Sequence, residues 1–218
     1  MTGFFKIIDL RVIRNISFMI LSILIFLVGV VVYGIILNLR EITLKEAMAL
    51  KGIKEFQKAN IVIERSEFSL SLFDDSTLVK TYKASFGRNV KEPKKVNGDG
   101  ATPVGVYKIC SIDTASEYHK FFKINYPNLK DAEEVLRRGG ISLKEFENIK
   151  FNYYYADCTP FSKILGGNIG IHGIGRLNFI FKNLPFVYNW TDGSIALSNE
   201  NIDELYSVVK KGTKVVIK

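Results

Sequence analysis

The sequence predicts a mainly β domain with short helices, preceded by one N-terminal helix that crosses a membrane. Three observations carry this reading. Asn15 to Leu39 contains no charged residue and is dominated by Ile, Leu, Val and Phe. From Ile61 to Val79 apolar and polar residues alternate, the period of a strand with one buried face. Between Gly166 and Asn199 short apolar runs are separated by glycine-bearing turns. The expected division is a cytoplasmic N-terminus over 1–14, an anchor over 15–39, a juxtamembrane helix over 40–59 and the folded domain over 60–218.

The apolar run exceeds the roughly 20 residues a helix needs to cross a bilayer. Lys6, Arg11 and Arg14 precede it against Asp9 alone, whereas Arg40, Glu41, Lys45 and Glu46 after it balance. The positive-inside rule then keeps the N-terminus in the cytoplasm and exports everything beyond Leu39, giving a single-pass membrane protein. The run is too long for a cleaved signal, and Ala47-Met48-Ala49 lies too far downstream to be its processing site. Mean hydropathy is +0.11, and the excess is concentrated in this segment.

A net charge of +8 suits a membrane surface or an anionic polymer. No lysine/arginine run is dense enough to argue for nucleic acid. The two cysteines, Cys110 and Cys158, have no metal-ligand spacing and are expected as free buried thiols, with a disulfide as the alternative in an oxidising compartment. No metal or cofactor is predicted: the two histidines are far apart, and no phosphate-binding glycine loop is present.

Glu41 to Ala59 reads as a short amphipathic helix with Leu44, Met48 and Ile53 on one side and a weakening Gly52. The alternating segment breaks at Asp74-Asp75-Ser76, which gives a hairpin followed by further strand. Lys94 to Tyr107 is a loop with Asn97-Gly98 and Asp99-Gly100 turns, stiffened by Pro103, from which Gly105 leads a strand. Leu129 to Asn148 predicts one or two helices around Gly139-Gly140, and at least one of Tyr153, Tyr154 and Tyr155 is expected in a core. Glu200 to Lys211 predicts a helix capped by Asn199, with Ile202, Leu205, Val208 and Val209 inward, before a last strand over Thr213–Ile217.

Two residues stand out for chemistry. The apolar run Ile169–Ile171 delivers His172 into a glycine-rich turn, and Thr191-Asp192-Gly193-Ser194 forms a second turn running into Ile195-Ala196-Leu197. A base at one strand end and a hydroxyl at a sharp turn with free backbone N–H groups are what base-assisted acyl transfer requires.

These motifs resemble the L,D-transpeptidase (YkuD-type) catalytic domain family. His172-Gly173 matches its His-Gly, and Trp190-Thr191-x-Gly193-x-Ile195-Ala196 matches the branch reading Trp-Thr-x-Gly-Cys-Ile-Ala. Lys80-Thr81-Tyr82, Gly87-Arg88-Asn89, the Lys95 to Tyr107 loop and the stretch from Tyr118-His119-Lys120 through Asn125-Tyr126-Pro127-Asn128 are also similar to that family. The resemblance runs from about Ile61 to Lys218. It implies a β-sandwich that attacks peptidoglycan tetrapeptide stems and passes the acyl group to an amine or to water. It further implies His172 as base, the Gly173 carbonyl orienting its ring, N–H groups around Gly193 and Ser194 as the oxyanion site, and Thr191 bracing the turn. His119, Tyr155 and Arg176 are the candidates to line the substrate cleft, although His119 and the tyrosine have structural readings too.

One position departs from the family: Ser194 stands where the resemblance places a cysteine nucleophile. Three readings stay open: a hydroxyl activated by His172, a degenerate site that retains binding, or an engineered replacement. A thiol can be stored as a thiolate beside imidazolium, whereas a hydroxyl must lose its proton during attack. A weakened or inactive enzyme is therefore expected. The alternatives are a peptidoglycan-binding pseudoenzyme and an L,D-carboxypeptidase.

Overall fold

The uncharged run forms α1, Leu10–Asn38, in a computed structural model that describes residues 10–39, 41–184 and 186–218. At about 1.5 Å per residue its 29 residues exceed the ~30 Å hydrocarbon core. It is long and apolar enough to cross a membrane, and side chains such as Ile20, Leu24 and Phe26 are exposed along it. Arg11 and Arg14 lie in its N-terminal turns. Lys6, Asp9 and Arg40, which enter the expected charge asymmetry, lie outside the described residues.

The second unit begins at Ile42. The expected helix over 40–59 is realised only as α2, Leu44–Leu50, where Thr43 and Glu46 form a reciprocal capping box. It is not a free stalk. Leu44 and Ala47 are buried in the main core, Met48, Ile53 and Phe56 pack against it, and the Leu44 N–H donates to Glu204 at 2.9 Å. Amphipathic spacing marked the buried face correctly, but the partner of that face is the β domain.

Eight strands follow: β1 Ala59–Glu64, β2 Ser69–Asp74, β3 Thr77–Lys83, β4 Gly105–Asp113, β5 Phe121–Ile124, β6 Gly170–Gly173, β7 Ile195–Leu197 and β8 Lys214–Ile217. They form one sheet in the order β3-β2-β1-β8-β4-β5-β6-β7. The alternating segment makes three strands. Besides the turn at Asp75-Ser76, a second turn at 65–68 separates β1 from β2. The register of β4 against β5 shifts between Ile109 and Ser111. Beyond β3, Ser85 pairs with Ala196 of β7 through two backbone hydrogen bonds of 2.8 Å. The two ends of the sheet are thereby joined, and the inner faces enclose one core that includes Ile61, Leu72, Phe86, Phe122, Ile171 and Val215.

Two helices, α3 Leu129–Arg137 and α4 Leu143–Tyr155, are inserted between β5 and β6. They bury a smaller cluster of Ala132, Val135, Ile141, Ile149 and Leu165. The tyrosine triplet closes α4 and contributes nothing to a core: Tyr154 and Tyr155 are exposed and Tyr153 is half-buried. The cysteines also depart from expectation. Cys110 on β4 and Cys158 just after α4 are joined by a disulfide, which ties the helical insertion to the sheet. After the short α5, Asn178–Lys182, α6 spans Asn199–Tyr206 and is capped by Ser198, whose side chain accepts from the Asn201 N–H; the Asn199 side chain is engaged at Gly175.

The disulfide closes a loop of 48 residues, so reduction should lower the unfolding free energy by about 2–4 kcal/mol on loop-closure grounds. Urea denaturation with and without reductant, and of Cys158→Ser, measures it. An unchanged midpoint would mean that the insertion is held by its small apolar cluster alone.

Candidate active site

Three adjacent strands position the site. β6 pairs antiparallel with β5 (Phe121↔His172, Phe122↔Ile171, Lys123↔Gly170) and parallel with β7 (Ile171↔Ile195, His172↔Ala196, Gly173↔Leu197). Side chains alternate across a strand. Phe122, Ile171 and Ile195 therefore face the core, where they are at most 1% exposed. Phe121, His172 and Ala196 form one row on the other face. The next row holds Lys123, Gly170 and, immediately before β7, Ser194. The hydroxyl of Ser194 accepts the Gly170 N–H at 3.3 Å. A side chain at Gly170 is excluded, since a Cβ would come within 2.4 Å of the Phe122 carbonyl oxygen and 2.7 Å of Phe121. The edge of the Phe121 ring covers Gly170 instead.

His172 is 3% exposed. Its ring packs on Tyr118 at 4.8 Å, on Phe121 at 6.0 Å and edge-on to Trp190 at 5.8 Å, centroid to centroid. Its Nδ1 lies 2.7 Å from the Gly173 carbonyl oxygen. A carbonyl only accepts, so Nδ1 carries the proton and, in the neutral ring, Nε2 carries the free lone pair. Burial pushes the imidazole pKa down, and the bond to Gly173 partly opposes it. The ring is thus held as a neutral acceptor.

Gly173 has no room for a side chain: a Cβ would lie 2.6 Å from Asn199 Oδ1 and 2.7 Å from the Tyr118 carbonyl oxygen. Asn199 clamps the chain just beyond the histidine, accepting the Gly175 N–H at 2.9 Å and donating to the Gly175 carbonyl at 3.1 Å.

The 191–194 turn is braced internally. Thr191 Oγ1 donates to the Ser194 carbonyl at 2.6 Å and accepts the Gly193 N–H at 3.2 Å. Gly193 has φ of 126°, and a Cβ there would be 2.5 Å from the Ala101 carbonyl oxygen. The Lys94–Gly105 loop is therefore the back wall of this turn. Asp99 organises that loop by accepting from Lys94 Nζ at 2.9 Å and from the N–H groups of Lys95, Val96 and Ala101. Burial raises its pKa, but these donors prevail and hold the carboxyl below its ordinary value.

The remaining candidates separate. Arg176 lines a pocket of about 520 Å³ beside the histidine's aromatic shell, together with Glu117, Tyr118, Ile174, Leu177, Phe181 and Trp190. His119, at φ 75°, turns its Nε2 to Asp203 of α6 at 2.8 Å and does not line that pocket. Tyr155 is 78% exposed at the end of α4, against Phe151 and Tyr154, and does not line it either. Tyr118, which packs on the imidazole, entered the sequence reading only as part of the Tyr118–Asn128 similarity. Phe121, on its other side, and Lys123 in the serine's row were not singled out, although they lie inside that stretch.

With this geometry in view, the sequence comparison is decisive: the L,D-transpeptidase catalytic domain (YkuD) family model matches residues 58–217. The chain belongs to this family. Among solved structures it is similar to a point variant of the helical cell shape determining protein Pgp2 from Campylobacter jejuni, with 22% identity, a TM-score of 0.48, and coverage of 75% of this chain and 48% of that one. Bd1075 from Bdellovibrio bacteriovorus gives 20% identity, a TM-score of 0.46 and coverage of 75% and 48%. An L,D-transpeptidase from Xylanimonas cellulosilytica gives 14%, 0.41, and 76% and 62%. The chain thus spans less than two thirds of each of these structures. No curated protein matches the sequence.

The depressed pKa of His172 has a consequence for this L,D-transpeptidase-family domain. An unfolded histidine takes up a proton below about pH 6.5, before the folded one does. The unfolded state then binds more protons, so this contribution to stability is complete above pH ~6.5 and is lost as pH falls toward the folded pKa. Asp131, pushed up to about 6 by burial, acts oppositely: its contribution is present at low pH and is lost as pH rises through 6. The difference between parent and His172→Gln isolates the histidine. The variant should lose less stability than the parent between pH 7.5 and 5 in urea titrations; parallel curves would show that the ring is not desolvated.

Proposed function

We propose that this protein is an extracytoplasmic, membrane-anchored member of its family that acts on peptidoglycan peptide stems by acyl transfer, with an efficiency limited by Ser194. The observation that carries the reading is the tautomer of His172. With Nδ1–H committed to the Gly173 carbonyl, Nε2 is free to take a proton from the side chain at position 194. The oxygen of Ser194, or the sulfur of a cysteine there, bonds to the scissile carbonyl carbon while its proton passes to Nε2. The N–H of Ser194 receives the oxyanion, the Gly193 N–H being taken up by Thr191 Oγ1. The C–N bond then breaks and the imidazolium returns the proton to the departing amine. An incoming amine or water finally takes the acyl group, which gives a crosslink or a trimmed stem.

Serine weakens this sequence for a physical reason. Burial disfavours the imidazolium, and a neutral hydroxyl next to it offers no compensating charge in the resting state. A thiolate would, because an opposite charge at close range in a water-poor site offsets desolvation. Localisation outside the cytoplasm is supported by α1, with Arg11 and Arg14 at its N-terminal end, and by a disulfide of the kind that persists in oxidising compartments. Ser194 also favours a second reading, a module that grips stems without turning them over.

The two readings are separated by incubating the full chain and its Ser194→Cys variant with tetrapeptide muropeptides and quantifying released D-alanine. Cysteine should raise release by about 100-fold or more, the scale of an activated nucleophile. Equal release by both forms would remove position 194 from the chemistry. No release by either, with stems still bound, would leave the binding module.

A further inference from the structure

Lys123 sits in the row of Ser194, with Gly170 between them and the edge of the Phe121 ring against Gly170. Two strand spacings put its α-carbon about 10 Å from that of Ser194, and the flexible four-carbon stem of lysine can span much of that gap. The side chain is half-buried, and its Nζ donates to the neutral amide oxygen of Asn168 at 2.9 Å. Among the described residues no carboxylate lies within ion-pair distance. Other lysines withdrawn from solvent in this domain are neutralised: Lys80 meets Glu204 at 2.6 Å, Lys94 meets Asp99 at 2.9 Å and Lys120 meets Asp203. Asn168 holds φ of 54° while it engages the ammonium. Partial burial lowers the pKa of Lys123, with no anion to oppose it. Desolvating a cation without a counter-charge is costly, and a ligand that brings the missing carboxylate would recover that cost.

We propose that Lys123 is a substrate-binding residue whose ammonium takes the free C-terminal carboxylate of the stem residue that departs. This rests on the stem-cleaving reading above and names a specificity contact within it. The terminal carboxylate of a tetrapeptide lies one residue beyond the scissile carbonyl, about 3.5 Å further along an extended chain. A stem attacked at position 194 and running across the edge of the Phe121 ring brings that group to Lys123. The site then selects stems that end one residue after the cleaved bond. A longer stem would place an uncharged peptide bond against the ammonium.

Calorimetric binding of the full chain in detergent micelles tests this, using a tetrapeptide stem with a free C-terminus and the same stem as its C-terminal carboxamide. The acid should bind about 10-fold or more tightly than the amide, as expected for a charge-assisted hydrogen bond. Lys123→Met should erase the difference, and Lys123→Arg should keep most of it. Equal binding of acid and amide by the parent, or an undiminished preference in Lys123→Met, overturns the assignment and leaves the family reading standing. Failure of the parent to bind either stem overturns the substrate reading, and this inference falls with it.

Discussion

Everything at the site depends on one short hydrogen bond, from His172 Nδ1–H to the carbonyl of the next residue, Gly173. It decides which nitrogen is a base and fixes the plane of the ring. That carbonyl can serve only because the chain around it is immobilised. Gly173 is packed too tightly for a side chain, Asn199 grips Gly175 from both its N–H and its carbonyl, and α6 is capped separately by Ser198. A backbone acceptor orients imidazole without lending it a full negative charge. This suits a neutral base more than one that must stabilise an imidazolium beside an alkoxide.

The strand register converts that local bond into a site. Parallel pairing of β6 with β7 sets Ser194 beside Gly170, and the absence of a side chain at 170 lets the Phe121 ring and the β5 backbone pack against it. On the far side, the Ala101 carbonyl presses so closely on Gly193 that only glycine fits. Loop, turn and strand are thus interdependent through backbone contacts, with side chains such as Asp99 and Thr191 serving to brace them. Closure of the sheet through Ser85 and Ala196 sets the same turn against the chain that follows β3.

Much of this was legible in the chain itself. An uncharged run long enough to span lipid, a period-two segment, and glycine turns around His172 and Thr191–Ser194 are local signals; they gave the fold class and singled out His172 and Ser194 as candidates. Features that depend on distant partners were not legible. Leu44 and Met48 displayed an apolar face without showing that it is covered by the β domain. Nothing in the spacing of Cys110 and Cys158 states that β4 and the end of α4 meet. Tyr153–Tyr155 look like core by composition, yet they end a surface helix. Ser198 and Asn199 are both good caps, and only the second role of Asn199, at Gly175, explains why the first of them caps α6. Lys123 is hidden for the same reason: its significance lies in strand register, which no single segment encodes.

The proposed chemistry requires the free nitrogen of His172 to face the side chain at position 194. Alkylation of Ser194→Cys by iodoacetamide as a function of pH tests this requirement. A reactivity midpoint well below the ~8.5 of an ordinary thiol is expected, moved back toward that value when His172→Gln is added. A midpoint at the ordinary value, indifferent to His172, would contradict it.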